Sequence, residues 1–251
     1  MKISIVTATY NSAATLRDTI ESIQNQQYSN IEYLVIDGCS KDDTVAIAKA
    51  YPDLVSHLVS EPDKGIYDAM NKGIARATGD VVGILNSDDF YAHERVLAQV
   101  AKAFEKPHID AVYGDLQYVQ AEQPNQIVRH WRAGDFHYKQ FRYGWMPPHP
   151  TFFVRRELYD KYGVFDTSFR SAADYELMLR FLYKHRAVAH YIPEVLVKMR
   201  TGGMSNANFR HRLRANREDL RAWRVNGLRP YFFTTLLKPI RKLNQFYLFT
   251  K

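Results

Sequence analysis

The sequence contains one cysteine, Cys39, in 251 residues. That excludes an intrachain disulfide, no Cys/His spacing resembles a zinc site, and a reducing, intracellular compartment is expected. Long apolar runs are missing as well. The longest uncharged apolar stretch near the C-terminus, residues 230–237, is far shorter than the roughly 20 residues that span a bilayer, so no transmembrane helix is expected. The apolar N-terminal run is too short for a signal peptide and reads as a first buried strand. Glycine is absent between Thr7 and Ala14, where a dinucleotide-binding fingerprint would need Gly-x-Gly-x-x-Gly. A Rossmann dehydrogenase is disfavoured on that ground, and the missing Walker motif excludes a P-loop ATPase.

Hydrophobic residues make up 46% and aromatics 14% of the chain, enough for one substantial core and a terminal appendage. The formal net charge is +7, yet twelve Lys/Arg face only Glu218 and Asp219 from Met199 onward. The preceding segment carries 22 bases against 25 acids. The basic character therefore belongs to the tail, and a nucleic-acid partner is not expected.

Short β-branched runs at Ile3 to Ala8, Ile31 to Asp37, Leu54 to Ser60 and Val81 to Asn86 alternate with helical patterns. Such alternation predicts stacked β-α units around a mostly parallel sheet covered on both faces. Leu16, Ile20 and Ile23 share one helical face, as do Ile66, Met70, Ile74 and Ala77. Further helices are expected over 96–104, 156–162 and 174–183, with an antiparallel hairpin over 111–131 and a strand after Pro150.

Ligands of open α/β sheets bind beyond the carboxyl ends of the strands. Four polar clusters follow the four strands: Thr7, Thr9, Tyr10 and Asn11; Asp37-Gly38; Glu61 to Gly65, including Lys64; and Asn86 to Asp89. All four are expected on one edge. Taken singly, Asp37-Gly38 and Lys64-Gly65 read equally well as turns. Asp88-Asp89 is more telling, since adjacent acids repel unless a cation or hydrogen-bond donors intervene, although a helix cap would also suit them.

These segments, together with Asp63-Lys64-Gly65-Ile66-Tyr67-Asp68-Ala69-Met70-Asn71-Lys72-Gly73, Ala77-Thr78-Gly79-Asp80 and Ala173-Asp174-Tyr175-Glu176-Leu177, resemble the family 2 glycosyltransferases of GT-A fold, bacterial cell-surface polysaccharide type. The likeness runs from residue 3 to about residue 205. It implies an inverting transfer of one sugar from a nucleotide-diphosphate sugar to an acceptor hydroxyl, assisted by Mn²⁺ or Mg²⁺. It places Thr9, Tyr10 and Asp37 on the base and ribose, Lys64 and Asp68 near the donor, Asp88 on ribose or sugar, and Asp89 on the metal. Asp174 is implied as general base, with a helix cap as the competing role. Many relatives carry Glu-Asp there, whereas this chain has Ala173-Asp174. His149, flanked by prolines, reads either as an acceptor contact or as a packed loop histidine.

The expected organisation is an α/β GT-A domain over 1–205 and a basic, amphipathic helical tail over 206–251. Arginines and aromatics mixed in that tail suit the inner face of a bacterial inner membrane, where a lipid-linked glycan acceptor would reside. Packing onto the core, or onto a second copy in a homo-oligomer, competes with that reading. The rival functions are a catalytically inactive scaffold and a sugar-nucleotide pyrophosphorylase. The latter lacks its glycine-rich basic loop after the first strand.

Overall fold

A computed structural model describes residues 1–202 and 209–243, apart from some tail side chains. The Gly203 to Ser205 segment lies outside the described residues, as does the aromatic end at 246–249.

Four strands, β1 (Ile3–Thr9), β2 (Ile31–Asp37), β3 (Val55–Ser60) and β4 (Val81–Ile84), lie parallel in the order β3-β2-β1-β4. Helices α1 (Leu16–Gln24), α2 (Thr44–Lys49) and α3 (Ile66–Arg76) make the crossovers. Register runs to the strand ends, with Thr9 opposite Asp37 and Asp37 opposite Ser60. The four post-strand clusters consequently share one edge, as expected.

The other half of the sheet is mixed. Strand β8 (Phe153–Arg155) pairs antiparallel with β4 and with β6 (Ala111–Val119). Strand β6 also takes β7 (Ile127–Trp131) antiparallel and β9 (Ala189–Arg200) parallel. One short strand was not expected: β5 (Asp89–Tyr91) pairs antiparallel with Val197, Lys198 and Met199 of β9. Asp89 therefore ends no loop; it begins a strand. Helices α4 (Val96–Phe104) and α5 (Arg156–Tyr162) form over the expected residues.

Two apolar layers cover the sheet. Leu16, Ile20 and Ile23 of α1 join Leu97 and Val100 of α4 on one face. Met70 and Ile74 of α3, Leu158 and Tyr159 of α5, and Leu177 of α6 (Ala173–Met178) cover the other. Gly73 is required where α3 crosses β1, since a Cβ there would collide with Val6. The helix expected over 174–183 changes character part-way, becoming a π-helix over Leu179–Lys184. Arg180 spans this change, forking onto Glu176 and onto the carbonyls of Gly163 and Val164.

The tail is not an appendage over its described length. Helix α7 (Phe209–Val225) buries Ala222 and Trp223 in the same layer as α6. The Trp223 indole donates to the Tyr175 hydroxyl at 2.9 Å and packs edge-on to Tyr183. Helix α8 (Thr234–Leu243) is held by Lys238, whose ammonium pairs with Asp219 of α7 at 2.8 Å. Ala222 and Trp223 of α7 thus pack on the core, one of the three readings of the tail. No helix among the described residues is long and apolar enough to cross a membrane.

Candidate active site

At the ends of β1 and β2, two loops are laced together. Asn11 adopts a left-handed conformation (φ 49°), which asparagine tolerates better than most side chains. Its backbone N–H donates to Ser40 Oγ at 2.8 Å and its side-chain oxygen accepts from Lys41 N at 2.9 Å. Asp37 is buried and fully engaged, accepting from Ser40 N at 3.0 Å, from Ser60 Oγ at 2.6 Å, and from the Ser40 hydroxyl. Its carboxylate shapes the loop floor.

Tyr10 stands out from this floor, 59% exposed. A Cβ on Gly38 would collide with the Asp63 carboxylate and touch the Tyr10 ring, so Tyr10, Gly38 and Asp63 line one spot. Asp63 was not singled out from sequence, although it heads the Asp-Lys-Gly segment. Its other role is to accept from Gly65 N at 2.8 Å. Gly65 (φ 116°) starts α3, and Asp68 closes the first turn by accepting from Lys64 N at 3.0 Å. Asp68 also pairs with Lys72 at 3.7 Å, while Lys64 is exposed.

Two expected contacts differ in placement. Thr7 is fully buried, with the Tyr33 hydroxyl donating to it at 3.2 Å. It sits two residues inside the strand, with its hydroxyl already engaged by Tyr33. Thr9, nearer the edge on the same face, has a buried hydroxyl without a hydrogen-bond partner.

The acidic pair is gripped from several sides. Ser12 shares a hydrogen bond with Ser87 Oγ at 2.9 Å, Thr15 donates to the Ser87 carbonyl at 2.8 Å, and Thr19 to the Asp89 carbonyl at 2.7 Å. From β9, Arg200 donates to the Asp88 carbonyl at 2.8 Å and binds Asp18. Sequence reading missed Arg200; the only hint was an arginine closing an apolar run. Asp88 is half-buried and its carboxyl is raised above the usual range by burial, partly offset by a backbone N–H and by Arg200. Asp89 is wholly buried and raised further, by burial and then by the Asp88 charge. Asn86 donates to its Oδ2 at 2.9 Å, while Asp89 Oδ1 and Asn86 Oδ1 have no partner.

Such a donor set fits a divalent cation: two carboxylates held together against their own repulsion, with unpartnered oxygens beside them. Mg²⁺ and Mn²⁺ favour one or two carboxylates plus substrate phosphates over an all-protein cage. Among the described residues no group of three or more His, Cys, Asp or Glu forms such a cage.

Across from the pair, α6 presents Asp174. The helix cap is Ala172, not Asp174, which lies in the first turn with its carboxylate 3.4 Å from the Tyr67 hydroxyl. His149 lies near enough to feel the Asp174 charge and packs edge-on to Phe165 at 5.7 Å. Burial pushes its imidazole down, opposed by Asp174. Tyr118 of β6, raised by burial, is within electrostatic reach of both Asp89 and Asp174, with Arg129 stacked 3.8 Å above its ring.

The sequence profile of glycosyl transferase family 2 matches residues 4–171. The chain belongs to this family. The glycosyltransferase is 35% identical over 187 residues to an uncharacterized glycosyltransferase of Mycobacterium tuberculosis, covering 71% of this chain and 68% of the relative. It is 32% identical over 213 residues to a PGL/p-HBAD biosynthesis glycosyltransferase of Mycobacterium bovis, covering 81% and 78%. In fold it is similar to Staphylococcus aureus TarS 1-349 in complex with UDP-GlcNAc (TM-score 0.71, 19% identity), covering 99% of this chain and 73% of that one. A mannosyltransferase from Pyrobaculum calidifontis, in complex with GDP-Man and Mn²⁺, superposes with TM-score 0.65 at 22% identity, covering 94% and 68%. The GT-A architecture expected from sequence is thus the observed one, and the enzyme is a glycosyltransferase.

Proposed function

We propose that this glycosyltransferase binds a nucleotide-diphosphate sugar across the ends of β1 to β4 and transfers one sugar to an acceptor hydroxyl with inversion. The observation that carries the reading is the buried, unpartnered Oδ1 of Asp89 and of Asn86 beside Asp88, at the sheet edge where the ends of β1 to β4 lie together. Tyr10, Thr9, Gly38, Asp63 and the Asp37 floor would receive the nucleoside, with Asn11, Gly65, Lys64 and Asp68 bordering it.

Asp88 and the unpartnered Oδ1 of Asp89 would hold Mn²⁺ or Mg²⁺. Because Asp89 is enclosed and Asp88 is the more open carboxylate, we assign the cation to the pair instead of to Asp89 alone. When bound, the metal neutralises charge on the departing diphosphate. Asp174 takes the acceptor's hydroxyl proton as that oxygen bonds to the anomeric carbon and the bond from this carbon to the phosphate oxygen breaks. His149 borders the acceptor side.

The acceptor we infer is a lipid-linked glycan at the cytoplasmic face of a membrane. Supporting this is Phe232, 90% exposed, in a cluster with Tyr143, Tyr231 and Phe233, with Arg142 4.8 Å above the Tyr231 ring. Aromatics beside cations suit an anionic headgroup layer. Flotation with anionic liposomes should carry the full chain and lose it with Phe232→Asp; wild-type protein left in the soluble fraction overturns this placement.

The transfer reading is tested with Mn²⁺ and a panel of UDP-, GDP- and dTDP-sugars. Ligand-dependent thermal stabilisation identifies the donor. Wild type is then compared with Asp89→Ala and Asp174→Asn, both expected to lose transfer. Equal activity in all three would falsify the site assignment.

A further inference from the structure

Asp174 stands where the chain offers no neighbouring acid and no side-chain cap. Ala173 adjoins it, and the cap residue Ala172 makes no side-chain hydrogen bond. The contact that holds Asp174 comes instead from α3, where the Tyr67 hydroxyl donates to Asp174 Oδ1 at 3.4 Å. The ring is fixed by stacking on Phe165 at 5.5 Å. Tyr67 is half-buried, so this phenol is shielded from bulk water on one side.

We propose that Tyr67 is the positioning residue of the catalytic base, aiming the Asp174 carboxylate through its hydroxyl. The inference rests on the reading of Asp174 as base. The donated hydrogen bond, on a ring fixed by its own stacking, holds the carboxylate in one orientation before the acceptor arrives.

Other charged groups around Asp174 are otherwise placed. His149 is opposed by burial, and Tyr118 is shared with Arg129 and Asp89. From α7, Glu218 is spent on the N–H groups of Arg170 and Ser171, and Asp219 is paired with Lys238.

Tyr67→Phe keeps the ring and its stacking partner while deleting the hydroxyl. In the full-length enzyme with Mn²⁺ and the donor identified above, kcat should fall about 10- to 100-fold while donor KM stays within about twofold. Thermal stability of Tyr67→Phe should stay close to wild type, whereas Tyr67→Leu, which also removes the stacking, should lose both kcat and thermal stability. An unchanged kcat in Tyr67→Phe, or a donor KM that rises as much as kcat falls, overturns the proposal. Asp174→Asn is run in parallel. If Asp174→Asn stays active, the base assignment fails; if it is inactive and Tyr67→Phe keeps the wild-type kcat, only the role of Tyr67 fails.

Discussion

Arg200 donates to the carbonyl oxygen of Asp88 at 2.8 Å from a position 112 residues further along the chain. Its guanidinium is almost completely buried, reaches Asp18, and lies 4.9 Å from the Phe90 ring. Strand β9 thereby positions the acidic pair twice, once through this side chain and once through the pairing of Met199 with Asp89. A lysine could supply the charge but not the planar fork that meets two oxygens. Arg200→Lys should raise the Mn²⁺ concentration needed for half-maximal transfer while leaving the fold intact. Arg200→Ala should also cost about 1.5–3 kcal/mol of stability, read by urea unfolding.

The acidic pair makes an opposite prediction for stability and activity. Burial raises both carboxyls and the Asp88 charge raises Asp89 further, so each charge works against the metal-free fold. Asp89→Asn keeps an acceptor for Asn86 and removes the repulsion. Its metal-free Tm should rise, the Mn²⁺-dependent gain in Tm should shrink, and transfer should fall by about 10²- to 10³-fold. Scanning calorimetry with and without Mn²⁺, beside a transfer assay, checks all three. A lowered metal-free Tm would remove the electrostatic argument.

Trp223 tests how far the tail belongs to the domain. Its side chain is wholly buried among Tyr175, Tyr183 and Ala222. Trp223→Ala should cost about 3–5 kcal/mol, measured by denaturant unfolding, and should loosen α6, which carries Asp174. A chain ending at residue 205 should accordingly be much less stable than the full-length protein. If both unfold at the same denaturant concentration, the tail is dispensable to the core.

Acid stability should depend on Glu32, far from the active site. Burial alone would raise its carboxyl, but Lys2, Ser4 and Thr78 donate to it and bring it down to about 2 from an ordinary value near 4.5. With the folded value below the unfolded one, the group stabilises fully above about pH 4.5. That contribution is lost as pH falls towards 2. It amounts to about 3 kcal/mol at neutral pH. Glu32→Gln should remove most of it and flatten the dependence of stability on pH in that window, followed by urea midpoints from pH 2 to 6.

Local pattern was enough for the sheet's parallel half. The strand Ile31–Asp37 and the helices Val96–Phe104 and Arg156–Tyr162 form over the residues their periodicity indicated, because apolar spacing dictates which face is buried. From strand order alone the four post-strand clusters had to share an edge, and the family likeness then supplied candidate roles. Tertiary structure decided the rest. Thr7 and Thr9 have the same chemistry, lie on the same face of β1 and are both buried, but only Thr7 finds a hydrogen-bond partner, the Tyr33 hydroxyl. Asp89 turned out to start a strand because β9, more than a hundred residues away, offers it a partner. Tyr67 and Asp174 meet across 107 residues, and Trp223 closes over α6. No periodicity encodes such meetings. They follow from how layers stack once each has buried its apolar face, and with them came the support that Ala173 does not provide.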